Sequence, residues 1–231
     1  MPRSLATAPH SDPSGARVEL RGACRSYGAT EVIHHVSLTI ESGESLALVG
    51  PNGSGKTTLL MLIAGFETPS RGEILINGRR MNREAPHLRD QGFVFHHRPL
   101  FPHLSLAQNL AFPLQLRGLR RVEIQLRIAR MLERFDLQDA AESLPPELSA
   151  VQQHYGTLAR ALIFDPALLL MDEPLGAFDP PLRLELQREI KDLQRDFKVT
   201  IVYATRSAAE AHACARRIAH MNHGRVENIT P

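Results

Sequence analysis

The chain has little that would suggest a secreted, metal-binding or membrane-spanning protein. Its two cysteines, Cys24 and Cys214, have a spacing that matches no disulfide framework, metal motif or redox motif. Its longest apolar runs fall far short of the roughly 20 residues that a membrane helix needs. The first residues hold no apolar core resembling a signal peptide. We therefore expect reduced thiols and a cytoplasmic protein that reaches a membrane only through a partner.

Strong charge of one sign is also absent. The chain has 27 lysines and arginines and 25 aspartates and glutamates, so its formal net charge is +2 at pH 7. This balance gives no field that would attract nucleic acid or an acidic surface. Hydrophobic residues make up 43% of the 231 residues. That share excludes wholesale disorder and is enough for one large domain or two small ones.

The pattern of apolar residues predicts an α/β protein. Residues 1–16 contain three prolines and no periodicity, which is typical of a mobile tail. Apolar and polar residues alternate over 36–40, as in a half-buried strand, whereas 46–49 are apolar throughout, as in a strand buried on both faces. A stripe at helical spacing over 124–135 predicts a packing helix. Strands and helices around this helix-rich stretch favour an α/β core with an insert at about 97–156.

Three shorter patterns add local predictions. Residues 73–77 read as an edge strand. Pro180 and Pro181 are typical of the first turn of a helix. Ser207 and Glu210 have the spacing of a capping box, which predicts the start of a short helix.

One motif indicates a nucleotide site. Residues 50–57 fit the pattern GxxxxGK followed by Ser or Thr, between an apolar strand and an apolar segment typical of a helix. Glycines let backbone N–H groups turn toward phosphate oxygens. Lys56 would place a charge on the β- and γ-phosphates, and the Thr57 hydroxyl would coordinate Mg²⁺. The predicted phosphate loop consists of Gly50, Pro51, Asn52, Gly53, Ser54, Gly55, Lys56 and Thr57.

Two carboxylates follow a second apolar run. Asp172 ends this predicted strand and would hold the Mg²⁺ shell, usually through water. Glu173 would act as the general base that polarises the attacking water. A helix cap is the alternative interpretation of this pair. For the nucleotide base, Tyr27 is a candidate for stacking on a purine, with a packing role as its alternative.

The order of these motifs resembles that of ATP-binding subunits of ATP-binding cassette (ABC) transporters. The similar segments include GPNGSGKTT at 50–58, ELSAVQQ at 147–153, LLLMDEPLGAFD at 168–179 and IVYAT at 201–205. They span nearly all of 17–231 and look most like import subunits for polyamines, iron or sulfate. The resemblance implies a P-loop NTPase core with an antiparallel β subdomain and an embedded helical subdomain. It adds Thr58 to the ATP contacts and favours base stacking by Tyr27.

The resemblance also implies cofactors, partners and a location. ATP and Mg²⁺ would bind between two cassettes, identical or different, that close head to tail. Each phosphate loop would face the partner's signature and D-loop residues, which are here Ser149, Ala150, Val151, Gln152 and Asp179. The helical insert would dock transmembrane permease subunits at the inner face of the cell membrane. A solute-binding protein would act through the permease.

Three of the loops implied to contact nucleotide depart from the family pattern. His96 stands where the family has glutamine, Ala150 and Val151 replace two glycines, and Arg206 replaces the switch histidine. Val151 places a branched side chain where the γ-phosphate approach leaves no room. Arg206 cannot share a proton at neutral pH, and His96 is shorter than glutamine and titrates near neutrality.

These departures favour ATP binding over ATP turnover. Our leading hypothesis is an ABC-importer ATPase subunit whose turnover is slow or depends on its partner. The alternative is a regulatory subunit that responds to nucleotide without turnover. A P-loop kinase is disfavoured because Pro174 follows the carboxylate pair and because the insert interrupts the core.

Overall fold

Residues 15–95 and 100–231 are described in the computed structural model. They form two compact units, each described by itself below. We call residues 15–95 and 167–231 the core unit, and residues 100–166 the helical unit.

The core unit contains ten strands in two sheets. One sheet is antiparallel with the order β2-β1-β4-β5, and the other has the order β10-β9-β3-β8-β7-β6. In the second sheet every pair from β9 to β6 is parallel, and only β10 runs antiparallel to its neighbour. The strands are β1 (Val18–Tyr27), β2 (Thr30–Ile40), β3 (Ser45–Val49), β4 (Arg71–Ile76), β5 (Arg79–Arg80), β6 (Gln91–Val94), β7 (Leu168–Asp172), β8 (Thr200–Thr205), β9 (Arg217–Asn222) and β10 (Arg225–Thr230).

Within the described ranges, six α-helices accompany these strands. Three belong to the core unit: α1 (Lys56–Ala64), α5 (Pro180–Phe197) and α6 (Ala208–Cys214). Three belong to the helical unit: α2 (Leu106–Leu116), α3 (Arg121–Arg134) and α4 (Ala150–Leu162). Every residue of β3, β7 and β8 is buried, as expected for parallel strands covered on both faces. The predicted α/β fold with an antiparallel subdomain and a helical insert is confirmed.

The helical unit is organised around buried contacts between α2 and α4. Asn109 is fully buried on α2, and its side-chain amide donates to the carbonyls of Phe101 and Leu104. A Cβ added to Gly156 of α4 would lie 2.7 Å from a methyl group of Leu106. The absent side chain therefore allows the two helices to approach closely.

Two predicted boundaries differ from the structure. The predicted tail includes Ala16, but this residue is buried, its N–H donates to the carbonyl of Ala167 at 2.9 Å, and its carbonyl accepts from the Thr200 hydroxyl. The preceding residues 1–14 lie outside the described residues. The insert continues past 156 because α4 is a single helix, and the helical unit extends to Pro166.

A predicted edge strand is also wrong in its position. Residues 73–76 belong to β4, which pairs with β1 on one side and with the short β5 on the other, and Asn77 follows the strand. Within residues 15–95 and 100–231, none of the helices has the length and apolar character needed to cross a membrane.

Candidate active site

The predicted phosphate loop connects β3 to α1. Gly53 and Gly55 have φ angles of 76° and 98°, which lie in the left-handed region that residues with a Cβ atom rarely adopt. A Cβ at Gly55 would lie 2.7 Å from the Cδ1 of Ile33, and one at Gly50 would collide with the carbonyl of Met221. The turn therefore needs glycine at positions 53 and 55, and the close packing of the loop against β2 and β9 needs it at positions 55 and 50.

Lys56 is the first residue of α1 and is buried beneath this loop. Its Nζ donates to the carbonyl oxygens of Gly50 and Pro51 at 2.7 and 2.9 Å. Burial lowers the pKa of Lys56, while the carboxylates of Glu173 and Asp172 oppose this shift and Arg206 adds to it. Glu173, Asp172 and Arg206 thus all lie within electrostatic range of Lys56.

Thr57 and Asp172 lie together at the carboxyl end of the parallel strands. The Thr57 hydroxyl donates to the Asp172 carboxylate, with distances of 2.9 and 3.1 Å to its two oxygens. Asp172 is the last residue of β7, next to β8 in the sheet. Hydroxyl and carboxylate oxygens are hard donors of the kind that Mg²⁺ prefers, so this pair fits the predicted metal role.

Glu173 has a backbone conformation that is rare for residues other than glycine. Its φ angle is 44°, and its N–H donates to the carbonyl of Ala204 at 2.9 Å. This bond ties the residue to the end of β8. Its Oε2 lies 2.9 Å from the Nε of Arg206. The structure therefore brings the predicted base and the altered switch residue into an ion pair.

Tyr27 lies at the end of β1 and is 45% exposed. The Cζ of Arg25 lies 4.6 Å from the centroid of its ring. Arg25 is paired with Ile33 of β2, the residue that packs on Gly55. The β1–β2 hairpin, in which Tyr27 precedes the turn, thus passes beside the phosphate loop. The partly exposed Tyr27 ring can stack on a base there.

The predicted signature residues begin α4 in the helical unit. The Ser149 hydroxyl accepts from the N–H of Gln152, and the Gln152 side chain accepts from the N–H of Ser149. Ala150 and Val151 occupy the first turn, and neither has a positive φ angle. Their backbone conformation does not require glycine, so these two substitutions add side-chain bulk without backbone strain.

Asp179 caps α5 in the core unit. Its Oδ1 accepts from the N–H of Leu182 at 3.3 Å. Arg183, one turn later, donates to the carbonyl of Phe178 at 2.6 Å. The predicted D-loop acid is thereby held at a helix start.

His96 lies outside the described residues.

The sequence predicts no role for Arg89, and for Glu210 it predicts only a helix cap. Arg89 is buried and donates to the carbonyls of Leu62 and Ile63 at the end of α1. Burial lowers its pKa to about 10. Glu210 is buried on α6, and burial, with a contribution from Glu173, raises its pKa to about 7 against the opposing effect of Arg183. No motif marks Arg89, and the capping-box spacing predicts nothing about the burial of Glu210.

The predicted capping box is only half formed. The Ser207 hydroxyl accepts from the N–H of Glu210 at 3.2 Å. The N–H of Ser207 donates to the Thr205 hydroxyl at 3.1 Å. The Glu210 carboxyl is instead directed into the interior, near Glu173 and Arg183.

Comparison with known protein families agrees with the nucleotide site described above. The ABC transporter family profile matches residues 33–176. The chain belongs to the ABC transporter family. The matched range of this cassette contains the phosphate loop, the signature segment and the Asp172–Glu173 pair.

Curated relatives of this cassette include import subunits. The spermidine/putrescine import ATP-binding protein PotA of Pseudomonas aeruginosa is 45% identical over 212 residues, which cover 92% of this chain and 58% of the relative. PotA of Nitrosomonas europaea is 45% identical over 214 residues, covering 93% of this chain and 59% of the relative. The chain therefore spans less than two thirds of the length of these relatives.

Solved structures of similar fold are dimeric ABC cassettes. The cassette MJ0796 in a post-hydrolysis state bound to ADP and Pi superimposes with a TM-score of 0.80 at 27% identity, covering 92% of this chain and 97% of that chain. Another dimeric structure of MJ0796 gives a TM-score of 0.82 at 29% identity, with the same coverage.

Proposed function

We propose that this chain is the ATP-binding subunit of an ABC importer, which couples ATP binding and hydrolysis to solute movement by permease subunits. The observation that carries the proposal is the convergence of Lys56, Thr57, Asp172 and Glu173 beside one glycine-rich loop. This set supplies a cation, two oxygen donors and a carboxylate base in one place.

Each residue of this set has a distinct role in the proposal. Lys56 binds the β- and γ-phosphates, and the loop N–H groups and the start of α1 surround them. Thr57 and Asp172 hold Mg²⁺, which when bound neutralises charge on the phosphates. Glu173 accepts a proton from the water that attacks the γ-phosphate. Tyr27 stacks on the adenine, and Gly50–Thr58 supply the remaining ATP contacts.

The proposal extends to an assembly. Two cassettes would close so that Ser149–Gln152 and Asp179 of one face the phosphate loop of the other. Dimerisation is supported by the similar MJ0796 structures, which are dimeric. Permease subunits embedded in the membrane would bind the helical unit. The chain would then lie at the inner face of the membrane. Because the relatives named above are spermidine/putrescine import proteins, polyamines are the first solutes to test.

The second candidate function is a regulatory subunit that binds ATP with little turnover. The ion pair between Arg206 and Glu173 favours it, because the guanidinium occupies an oxygen of the proposed base. Single-turnover hydrolysis by the chain assembled with its permease in lipid vesicles separates the two candidates. Hydrolysis coupled to solute uptake supports the importer, whereas ATP binding without hydrolysis or uptake supports the regulatory subunit. Absence of ATP binding contradicts both.

A further inference from the structure

A cavity in the core unit has no role in the proposed ATP site. Its volume is about 660 Å³, and it is lined by residues 68–72, by Arg80 and by residues 82–84. This volume is in the range of pockets that hold small molecules. None of the lining residues is among the proposed ATP contacts, so the cavity is a candidate for a second ligand.

The lining of this cavity is polar and positively charged. Of the described residues that line it, only Pro69 has an apolar side chain. One lining residue is acidic, Glu84, and its carboxylate already pairs with Arg79 at 2.8 Å. Three lining residues are arginines, namely Arg71, Arg80 and Arg83. An apolar ligand would therefore fit poorly, whereas an anion would meet an excess of positive charge.

The three arginines have donors to spare. Arg71 donates through one terminal nitrogen to Glu31 at 3.0 Å, and one terminal nitrogen of Arg80 lies 3.4 Å from Glu73. Among the described residues, Arg83 forms no ion pair. A guanidinium carries five N–H donors, so most of the donors on these side chains remain available to a bound anion.

Ser70 adds a hydroxyl donor to the same lining. Its Oγ accepts from the N–H of Ser26 at 3.1 Å. Within residues 15–95 and 100–231, its own hydroxyl hydrogen has no acceptor. A hydroxyl can accept and donate at the same time, so Ser70 can still donate to a ligand oxygen.

The first lining segment, residues 68–72, is held against β1. Arg25 donates to the carbonyl of Thr68 at 2.9 Å, and the N–H of Ser70 donates to the carbonyl of Cys24 at 2.8 Å. These bonds fix the backbone on both sides of Pro69. This side of the cavity is therefore formed before any ligand binds.

The second lining segment is held by two buried or half-buried side chains. The side-chain amide of Asn82 donates to the carbonyl of Gly72 at 2.9 Å, which joins the two segments. The buried Arg89 donates to the carbonyls of Met81 and Glu84 at 2.6 and 3.0 Å. Because both segments are fixed in this way, little ordering is needed when a ligand binds.

The charge and the geometry of the lining select one class of ligand. Planar guanidinium groups match the oxygens of a phosphate and often bind them through two parallel hydrogen bonds. We propose that this cavity binds a small molecule that carries phosphate groups, held by Arg71, Arg80 and Arg83. Ser70 donates a further hydrogen bond to the same group.

Calorimetric titration of the full chain with inorganic pyrophosphate tests this proposal. Lys56→Ala is the parent chain, because this change weakens the phosphate loop as a competing anion site. Adding Arg80→Ala and Arg83→Ala should weaken pyrophosphate binding by at least about tenfold. Adding Arg80→Lys and Arg83→Lys should weaken it by about threefold, since lysine keeps the charge but lacks the planar fork.

Two further measurements locate the bound pyrophosphate. Arg188→Ala removes an exposed arginine of α5 and is the matched control, which should change the affinity by less than about twofold. In Lys56→Ala, the amide NMR signals of residues 68–72 and 80–84 should shift during the titration. These shifts should be lost when both arginines are replaced by alanine.

Three results would overturn the proposal. One is a Lys56→Ala chain that does not bind pyrophosphate, or that binds it unchanged after loss of Arg80 and Arg83. Another is succinate binding as tight as pyrophosphate binding, which would show that the cavity does not select phosphate. The third is sedimentation with phosphatidic acid vesicles that requires the same arginines, which would assign them to a lipid headgroup instead of a small molecule.

Discussion

The Thr57 hydroxyl lies 2.9 Å from a carboxylate oxygen of Asp172, although 115 positions separate the two residues in the chain. The end of β7 and the first turn of α1 bring them together. A magnesium ion in a nucleotide site commonly takes one or two protein oxygens and completes its shell with phosphate oxygens and water. This pair is therefore the structural basis for expecting metal-dependent binding.

Removing either oxygen donor should uncouple ATP affinity from magnesium. We expect Mg²⁺ to tighten ATP binding to the unmodified chain by about tenfold or more, and to tighten binding to Thr57→Val or Asp172→Asn by less than about threefold. ATP titrations with Mg²⁺ and with a chelator give both values. Thr57→Ser keeps the hydroxyl and is the control that should retain the effect. A full magnesium effect in Thr57→Val would exclude this residue from the metal site.

Glu210 should make stability fall as pH rises. Its pKa is about 7 in the folded chain and 4.5 as the reference value, mainly because burial disfavours the charged form. The folded state therefore binds more protons between these values, and stability is lost as pH rises through them. Glu210→Gln should raise the free energy of unfolding by on the order of 2 kcal/mol at pH 8 and by less than about 1 kcal/mol at pH 5.

Urea unfolding of Glu210→Gln across this pH range measures the effect. Glu185→Gln, on the exposed face of α5, is the matched control and should show no such pH dependence. A gain for Glu210→Gln that is the same at pH 5 and pH 8 would show that charge burial is not its cause.

Much of the fold could be predicted from local patterns. The apolar run at 46–49 and the glycine pattern after it determine a buried strand, a turn and a helix start within a few residues, and the structure contains all three. Boundaries set by distant contacts could not be predicted in the same way. Ala16 is held by Ala167 and Thr200, which lie far along the chain.

The candidate site shows the same difference between features that local spacing predicts and features that it does not. Motif spacing identified Lys56, Thr57, Asp172 and Glu173, and the structure brings them together. The ion pair of Arg206 with Glu173 and the burial of Glu210 depend on side-chain direction at the end of β8 and the start of α6. Spacing does not encode that direction, so it predicts only a helix cap for Glu210.

Restoring the family residues in the altered loops should speed hydrolysis. Glycines at Ala150 and Val151 remove bulk from the first turn of α4, and Arg206→His removes the guanidinium from Glu173. Because both changes act on one closed state, the rate gain of the triple variant should exceed the product of the separate gains. Steady-state phosphate release from the assembled transporter is the measurement.

Two results would contradict this account of turnover. One is a triple variant that hydrolyses ATP no faster than the unmodified chain. The other is an unmodified chain that already turns over at around 1–10 per second, a common enzymatic range. Unfolding temperatures should be recorded for each variant, since glycine in a helix costs up to about 1 kcal/mol per residue.

The surface that contacts the permease should lie on α2 rather than α5. Phe112 and Leu116 are exposed apolar residues of α2, within the helical insert that the family resemblance implies docks the permease. Cysteines at these positions should crosslink to permease subunits in the assembled transporter. Leu184→Cys on α5, also exposed, is the matched control. The native Cys24 and Cys214 are buried and should not interfere. Crosslinks from Leu184→Cys alone would reverse the assignment.

Binding of Mg-ATP by Lys56 is the central claim, and calorimetric titration of the full chain tests it most directly. Lys56 lies beneath the phosphate loop, with its Nζ 2.7 Å from the carbonyl of Gly50. We predict that the unmodified chain binds Mg-ATP and that Lys56→Ala weakens this binding by at least about tenfold, roughly 1.4 kcal/mol, while the chain stays folded. Lys191→Ala, an exposed lysine of α5, should bind as tightly as the unmodified chain. Unchanged affinity in a folded Lys56→Ala would contradict the nucleotide assignment.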